Sequence, residues 1–248
     1  MKKLLVLSIG IGIFNFTQAQ GLRGLIKKVA EKDSSGTVAK ILPASGSDSL
    51  STSDVVAGLK AALETGTDRS VQKLSATDGF FRDAVIKVLM PEEAKKVEST
   101  LRRVGLGRQV DDAILSMNRA AEDAAKDAAP IFINAIKGMT IEDAWGILKG
   151  GDSSATRFLR NKTSIALTEA FRPVIENSLE KVNATKHWNT VFTTYNRFSK
   201  DKVNTDLAAY VTDKALFGIF YQVALEEMKI RKDPVARTSE ILKKVFGR

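Results

Sequence analysis

The segment Ala215–Ile230 is apolar on nearly every side of a helix, and it constrains the fold more than any other part of the chain. A helix that is apolar all round is typically buried at the centre of a bundle. Helical periodicity also dominates from Ser53 onward, with no internal repeat and no second composition regime. These patterns predict a single all-α, bundle-like domain over residues 53–248. At most one short β-hairpin or extended segment is expected near residues 80–90, where Ala84–Met90 could form a short strand.

Local capping signals predict where the helices begin and end. Ser53 is expected to cap the first helix, and Pro91 is expected to open the next one. Thr140 with Asp143 approximates a capping box for a later helix, which Gly150 ends. Further helices are expected at 108–128, from Ser153 through Arg160, from Thr163 with a kink at Pro173, and at 185–197, 206–231 and 238–246.

The first residues of the chain have the pattern of a signal peptide. Two lysines precede an apolar run from Leu4 to Phe16, and the sequence TQA at 17–19 is a small-x-small cleavage site. As a helix this run is about 20 Å long, which is too short for a hydrocarbon core of roughly 30 Å. We therefore expect residues 1–19 to be removed, leaving a soluble chain in the periplasm or outside the cell. Residues 20–52 are expected to form a short basic helix and a flexible Ser/Gly-rich linker.

Residue counts exclude several classes of site. The chain has no cysteine and one histidine, His187, which excludes disulfides, thiolate zinc sites, iron–sulfur clusters and multi-histidine metal sites. The helix start that follows Gly150 could hold an anion on its free N–H groups, but a P-loop lysine is lacking. No nucleic-acid-binding motif is present. We expect no metal site, no cofactor and no nucleic-acid partner.

Two adjacent carboxylates interrupt the apolar segment of the predicted central helix. Glu226 and Glu227 both lie on its apolar stripes. An isolated buried carboxylate costs several kcal/mol, so each needs a cation or a raised pKa. The candidate cations are Arg231 one turn on, Arg157, Arg172 and Arg119. The arrangement is either a structural ion pair that holds the last helices against the core or a general acid/base or ligand pocket.

A second polar cluster borders the alanine stripe of the helix predicted at 108–128. Asn118 and Glu122 are four residues apart and share a face, with Arg119 between them. Small residues on this helix let another backbone approach closely. The cluster is therefore expected either to cap an adjacent loop or to meet a helix terminus or a ligand.

Several strings of the chain resemble a bacterial family of proteins with a domain of unknown function, number 4197. The strings include GLKAAL at 58–63, DGF at 78–80, SMNRAAE at 116–122, MTIEDA at 139–144 and YVTDKAL at 210–216. The resemblance covers about residues 53–247. It implies an exported, mostly helical protein of unknown activity, and it supplies no catalytic residues to transfer.

Two hypotheses for the function follow. The first is a non-enzymatic helical binding or scaffold protein of the bacterial cell envelope, whose partner is a small molecule or an envelope protein. The second is a periplasmic hydrolase or lyase that uses Glu226 or Glu227 with Arg231 and Asn118; the lack of a nucleophile–base pair favours the first. The net charge of +7 that remains after removal of residues 1–19 and the basic amphipathic segment 21–32 also predict a weak contact with an anionic membrane surface.

Overall fold

In the computed structural model, which describes residues 51–200, 202–233 and 243, the described residues form helices, turns and extended segments without a strand. The helices are α1 Thr52–Ser75, a 3-10 helix Glu92–Ala94, α2 Lys95–Arg103, α3 Gly107–Ala125, α4 Ala128–Lys137, α5 Ile141–Lys149, α6 Ser154–Lys181, α7 Ala184–Phe198 and α8 Leu207–Lys232. The all-α, bundle-like fold is confirmed. The predicted signal peptide, the basic helix and linker, and the helix at 238–246 lie outside the described residues.

Two helix starts carry complete capping boxes. At α1 the hydroxyl of Ser51 accepts from the N–H of Asp54, and the Asp54 carboxylate accepts from the N–H of Ser51. The predicted cap at Ser53 was therefore wrong by two residues, because Asp54 stands three positions after Ser51 and can return the hydrogen bond. At α5 the same reciprocal bonds join Thr140 and Asp143, as predicted.

The helix α6 is longer than the sequence indicated. The prediction of two helices, with a new start at Thr163, was wrong because α6 runs unbroken through 28 residues and contains Pro173. The Thr163 hydroxyl donates to the carbonyl of Leu159 at 2.7 Å, so its polar group is satisfied inside the helix. A fully buried apolar stripe then follows every four residues at Leu167, Phe171 and later positions.

The helix predicted at 108–128 ends three residues early. The structure closes α3 at Ala125 and opens α4 at Ala128, with turn bonds between them. Pro130 explains the break, because it has no N–H to donate to the carbonyl of Lys126 and its ring would clash with that carbonyl in a continuous helix.

The helix α8 packs against α6, α1 and α3, and its inner face is buried at Val211, Ala215 and Ile219. Its central position agrees with the apolar character of Ala215–Ile230. One side of α8 nevertheless reaches the surface, where Phe217 is 48% exposed and Met228 is 37% exposed. Among the described residues, no helix is both long enough and apolar enough to span a bilayer.

The segment 76–91 between α1 and the 3-10 helix, called the extended segment below, consists of turns up to Ile86 and then of backbone without helix or strand, so no strand forms at Ala84–Met90. Asp78 in its first turns has φ +69°, and the side chain of Phe80 that follows is fully buried. Phe80 lies so close to Gly218 of α8 that a Cβ there would be 2.3 Å from the Phe80 ring. The segment therefore packs directly on the α8 backbone.

Candidate functional site

The carboxylate of Glu227 lies at the first turn of α6. Its Oε1 accepts from the backbone N–H of Ala155 at 3.0 Å, and its Oε2 accepts from the N–H and the hydroxyl of Thr156, each at 2.8 Å. The first N–H groups of a helix have no partner within the helix, and the helix dipole favours negative charge there. The helix start after Gly150 therefore does hold an anion, and that anion belongs to the protein itself.

Arg231 completes the surroundings of Glu227. Its Nε donates to Glu227 Oε1 at 2.9 Å, and its Nη2 donates to the carbonyl of Ile147 at 2.8 Å. Ile147 lies in the last turn of α5, where its carbonyl also accepts from the N–H of Gly150 at 3.3 Å and where positive charge is favoured. The Glu227–Arg231 pair therefore joins the end of α5, the start of α6 and the last turns of α8.

Glu226 is buried as well, but its cation is a lysine. Lys229 Nζ lies 2.6 Å from Glu226 Oε1, whereas Arg69 reaches only to 4.0 Å. Gln222 donates to the same carboxylate at 3.4 Å and accepts from Lys73 of α1 at 2.9 Å. This second group of polar side chains thus links α8 to α1. The cation closest to Glu226 is Lys229, which was not among the arginines proposed from the sequence, and the guanidinium nearby belongs to Arg69.

Asn118 of α3 holds the extended segment through its side-chain amide. Its Oδ1 accepts from the N–H of Val88, and its Nδ2 donates to the carbonyl of Val88, both at 2.8 Å. Nδ2 also donates to the carbonyl of Ile114 in its own helix. Because Asn118 is fully buried, these bonds satisfy an otherwise unpaired backbone as a neighbouring strand would.

Glu122, one turn further along α3, fixes the beginning of the same segment. Its Oε1 accepts from the N–H groups of Phe80 and Phe81 at 3.1 and 3.2 Å. Its Oε2 accepts from Arg119, which also donates to Asp78 at 2.6 Å. Hydrogen bonds from Arg119 to Asp78 and Glu122 raise the pKa of Arg119 above its usual value.

Tyr210 of α8 holds the far end of the segment. Its hydroxyl donates to the carbonyl of Leu89 at 2.9 Å. Burial, together with the charges of Glu93 and Glu92, raises the pKa of Tyr210 to about 12. The raised pKa therefore keeps the hydroxyl a donor even in alkaline solution, where an ordinary tyrosine would lose its proton.

Arg172 belongs to neither buried cluster. It donates to Glu176 one turn on and to Asp206, the residue that caps α8. The Asp206 carboxylate accepts from the N–H of Ala209 at 2.9 Å. That bond, followed by the bond from Arg172, holds the pKa of Asp206 below its ordinary value.

The seven candidate residues therefore divide into separate groups with separate neighbours. Glu227 and Arg231 bind the ends of α6 and α5, and Glu226 pairs with Lys229. Arg172 projects from α6 and pairs with Asp206 at the start of α8. The remaining three, Asn118, Arg119 and Glu122, hold the extended segment. Sequence analysis missed several of their partners, namely Asp78, Thr156, Lys73, Gln222, Lys229 and Asp206. Only Lys229 and Gln222 had a local signal, since each lies one turn from Glu226.

A small cavity lies between α1 and α8 beside the Glu227–Arg231 pair. Its volume is about 20 Å³, and its walls are mostly apolar. The lining residues are Leu59, Ala62, Leu63, Gly66, Thr67, Ala155, Val223, Glu227, Ile230 and Arg231. This volume holds about one water molecule, whereas pockets for small ligands measure roughly 300–1,000 Å³. Within the described part of the chain, no group of three His, Asp or Glu side chains is placed to hold a metal ion, and His187 is exposed.

These features define an all-α protein whose helices and one extended connection are joined by buried carboxylates and a buried amide. A family model described as a protein of unknown function (DUF4197) matches residues 49–247, and the chain belongs to that family. Neither a curated protein nor a solved structure gives a significant match.

Proposed function

We propose that this protein is a non-enzymatic, exported helical binding or scaffold protein of the bacterial cell envelope. The observation that carries the proposal is the state of Glu227. Its two carboxylate oxygens accept four hydrogen bonds from Ala155, Thr156 and Arg231, and all of the donors are groups of the protein. A carboxylate bound in this way acts as a connector between helices and has no orientation toward a reacting molecule.

The arrangement of the other polar groups supports the same conclusion. A hydrolase or lyase built on Glu227, Arg231 and Asn118 would need these side chains around one substrate-sized cavity. Asn118 instead bonds the backbone of Val88, and the cavity beside Glu227 has room for about one water molecule. The buried polar groups thus explain how the bundle is held together, and a binding role then falls to its surface.

The sequence supports export and an envelope location. Residues 1–19 have the charged start, the short apolar run and the small-x-small end of a signal peptide. The absence of cysteine suits an oxidising compartment, because no thiol is available to mispair.

Fractionation tests the location. The full chain with a C-terminal tag is expressed in a bacterium, and osmotic-shock and cytosolic fractions are compared by intact-mass measurement. We expect a mature chain beginning at Gln20 in the periplasmic fraction. A chain that keeps Met1 and stays in the cytosol would overturn the proposed location.

Cross-linking in cells tests the binding role against the enzymatic one. We expect the tagged chain to form cross-linked products with an envelope component. The same products should form with Glu227→Gln at temperatures well below the melting temperature of that variant, because Glu227 has a structural role. Loss of the products with an unchanged melting temperature would show that Glu227 acts on a ligand, and the proposal would then be wrong.

A further inference from the structure

We propose that the outer face of α8 docks on an anionic lipid surface. This α8 face consists of Phe217, Tyr221, Leu225 and Met228, with Lys214 and Lys232 at its two ends. The inference rests on the proposed binding function and names the partner of that function.

The spacing of these residues makes them one continuous stripe. The residues that follow Lys214 on this stripe lie at +3, +7, +11, +14 and +18, and this spacing places them on one side of a helix. They are Phe217, Tyr221, Leu225, Met228 and Lys232. No charged residue occurs anywhere between Lys214 and Glu226, and the Glu226 side chain points into the bundle. The stripe is therefore uninterrupted by charge along its apolar part.

The stripe is open to solvent although its residues are apolar. Phe217 is 48% exposed and Met228 is 37% exposed, while Tyr221 and Leu225 between them are half-buried. The rings of Phe217 and Tyr221 are nearly parallel with their centroids 6.1 Å apart, so the two aromatic side chains are direct neighbours on this face. A contiguous exposed apolar surface of this kind marks a contact site for a protein or a membrane.

Basic side chains border the α8 face. Lys214 is exposed and lies with its Nζ 5.5 Å from the centre of the Tyr210 ring. The exposed Arg160 of α6 lies beside the same helix, with its guanidinium 4.8 Å from the centre of the Phe220 ring. Lysine and arginine stems pack on apolar surface while their charged ends reach lipid headgroups.

Acidic residues are also present near this border. Asp152 pairs with Lys232 at 2.7 Å, and Asp213 is exposed beside Lys214. Without Lys2 and Lys3 the mature chain carries +7, so its long-range attraction is toward anionic surfaces.

The size and charge of the face distinguish a membrane from a second copy of the chain. From Phe217 to Met228 the stripe is about 16 Å long and offers four apolar side chains. A stable dimer needs about 800 Å² and 20–30 residues from each partner. An anionic lipid surface needs no such area, because it accepts a few inserted apolar side chains and attracts the basic residues that border them.

The absence of cysteine allows a local test in the full mature chain. Phe217→Cys and the control Ile165→Cys, each labelled with an environment-sensitive fluorophore, are mixed with vesicles of phosphatidylcholine alone or with added phosphatidylglycerol. Ile165 is a matched control because it is apolar and 78% exposed on α6. We expect a blue shift only for the label at position 217 and only with the anionic vesicles. The label reports this face itself, so membrane contact by residues 21–32 does not produce the signal.

Affinity measurements complete the test. In vesicle sedimentation, Lys214→Gln is expected to bind about fivefold more weakly, as expected for one lysine near an anionic surface. Equal shifts at both labels, or sedimentation with an unshifted label at position 217, would overturn the docking of this face. If the chain forms a concentration-dependent dimer that Phe217→Gln prevents, the α8 face binds a second copy of the chain and the lipid inference is wrong. Cross-linking to an envelope protein without any lipid binding would overturn this inference and leave the proposed function standing.

Discussion

The carboxylate of Glu227 accepts hydrogen bonds from both the backbone N–H and the hydroxyl of Thr156, a residue 71 positions earlier in the chain. This contact fixes the C-terminal half of α8 against the first turn of α6. Arg231 extends the contact to the last turn of α5. The Glu227–Arg231 pair therefore joins three helices, and its carboxylate satisfies N–H groups that have no partner within the first turn of α6.

Replacing Glu227 by Gln should destabilise the fold strongly. The amide group has one acceptor oxygen, so either Ala155 and Arg231 or the two donors of Thr156 would face an NH₂ group. We expect the free energy of unfolding to fall by about 3 kcal/mol, as is usual when one member of a buried ion pair is removed. Thermal and denaturant unfolding of the purified variant measure the change.

Glu176→Gln is the matched control for that substitution. It removes a carboxylate that also pairs with an arginine one turn away, but the Glu176 side chain is 43% exposed. A change of less than about 1 kcal/mol is expected. Similar losses for the two variants would contradict a special role for burial at Glu227.

Asn118→Ala should release the extended segment. Two backbone groups, the N–H and the carbonyl of Val88, would lose their partner in a buried environment, whereas the carbonyl of Ile114 keeps its bond within the helix. We expect a loss of about 2–4 kcal/mol and much faster hydrogen exchange at the Val88 amide. Ser116→Ala in the same helix removes only a bond to the carbonyl of Ala113 and should leave exchange at Val88 unchanged.

Two glycine substitutions should have opposite effects. In Gly218→Ala the new Cβ would be 2.3 Å from the fully buried Phe80 ring, so we expect a loss of about 1–3 kcal/mol. In Gly66→Ala the nearest atoms, on Glu226 and Ile230, are 3.6 Å away, and a gain of up to about 1 kcal/mol is expected for a helix interior. Unfolding midpoints of both variants provide the comparison.

A double variant tests whether the Phe80 ring causes the loss in Gly218→Ala. Phe80→Leu combined with Gly218→Ala should recover part of the lost stability. Equal stability of Gly218→Ala and the parent protein would show that Phe80 moves freely.

The cap of α8 should become weaker in acid. The Ala209 N–H and Arg172 lower the pKa of Asp206 below its ordinary value of 3.8 in the folded protein. A lowered pKa stabilises the fold above the ordinary value, and this stabilisation is lost as the pH falls through the lower, folded value. Asp206→Ala should therefore cost about 1 kcal/mol near neutral pH, and the difference from the parent should shrink below about pH 4.

Melting temperatures of both proteins between about pH 7 and about pH 3 measure this dependence. Asp206→Asn separates the charge from the cap, because it keeps an oxygen that can accept from Ala209. It should cost less than Asp206→Ala near neutral pH. A difference between parent and Asp206→Ala that grows on acidification would show that the Asp206 carboxylate does not stabilise the fold in its charged form.

Helix ends were predictable where their signal is local. Thr140 and Asp143 form a capping box within four residues, so the sequence contains both partners. Ser51 and Asp54 carry the same signal, and the choice of Ser53 overlooked it. Thr163 was wrongly predicted to begin a helix, because a threonine hydroxyl can either cap a helix or donate to a carbonyl of the preceding turn. The structure has the second arrangement, and burial against neighbouring helices favours it.

The buried polar residues were recognisable, but most of their partners were not. Glu226 and Glu227 stand out because they interrupt an apolar helix, and Arg231 lies one turn away. The donors at Thr156, Phe80 and Val88 are far away in sequence and are mostly backbone groups. A backbone N–H is present in almost every residue, so no pattern of residue types distinguishes the one that a distant carboxylate will meet.

The sequence by itself determined that this chain forms helices, where most of them lie, and that its last long helix carries carboxylates that need partners. Those properties follow from periodicity, capping and the cost of burying charge, all of which act within a few turns. Only the tertiary structure decided that the start of α6 and the end of α5 meet Glu227 and Arg231, and that one apolar side of α8 stays exposed. Such contacts depend on how whole helices pack together, and that arrangement is fixed by the combined shape of many side chains.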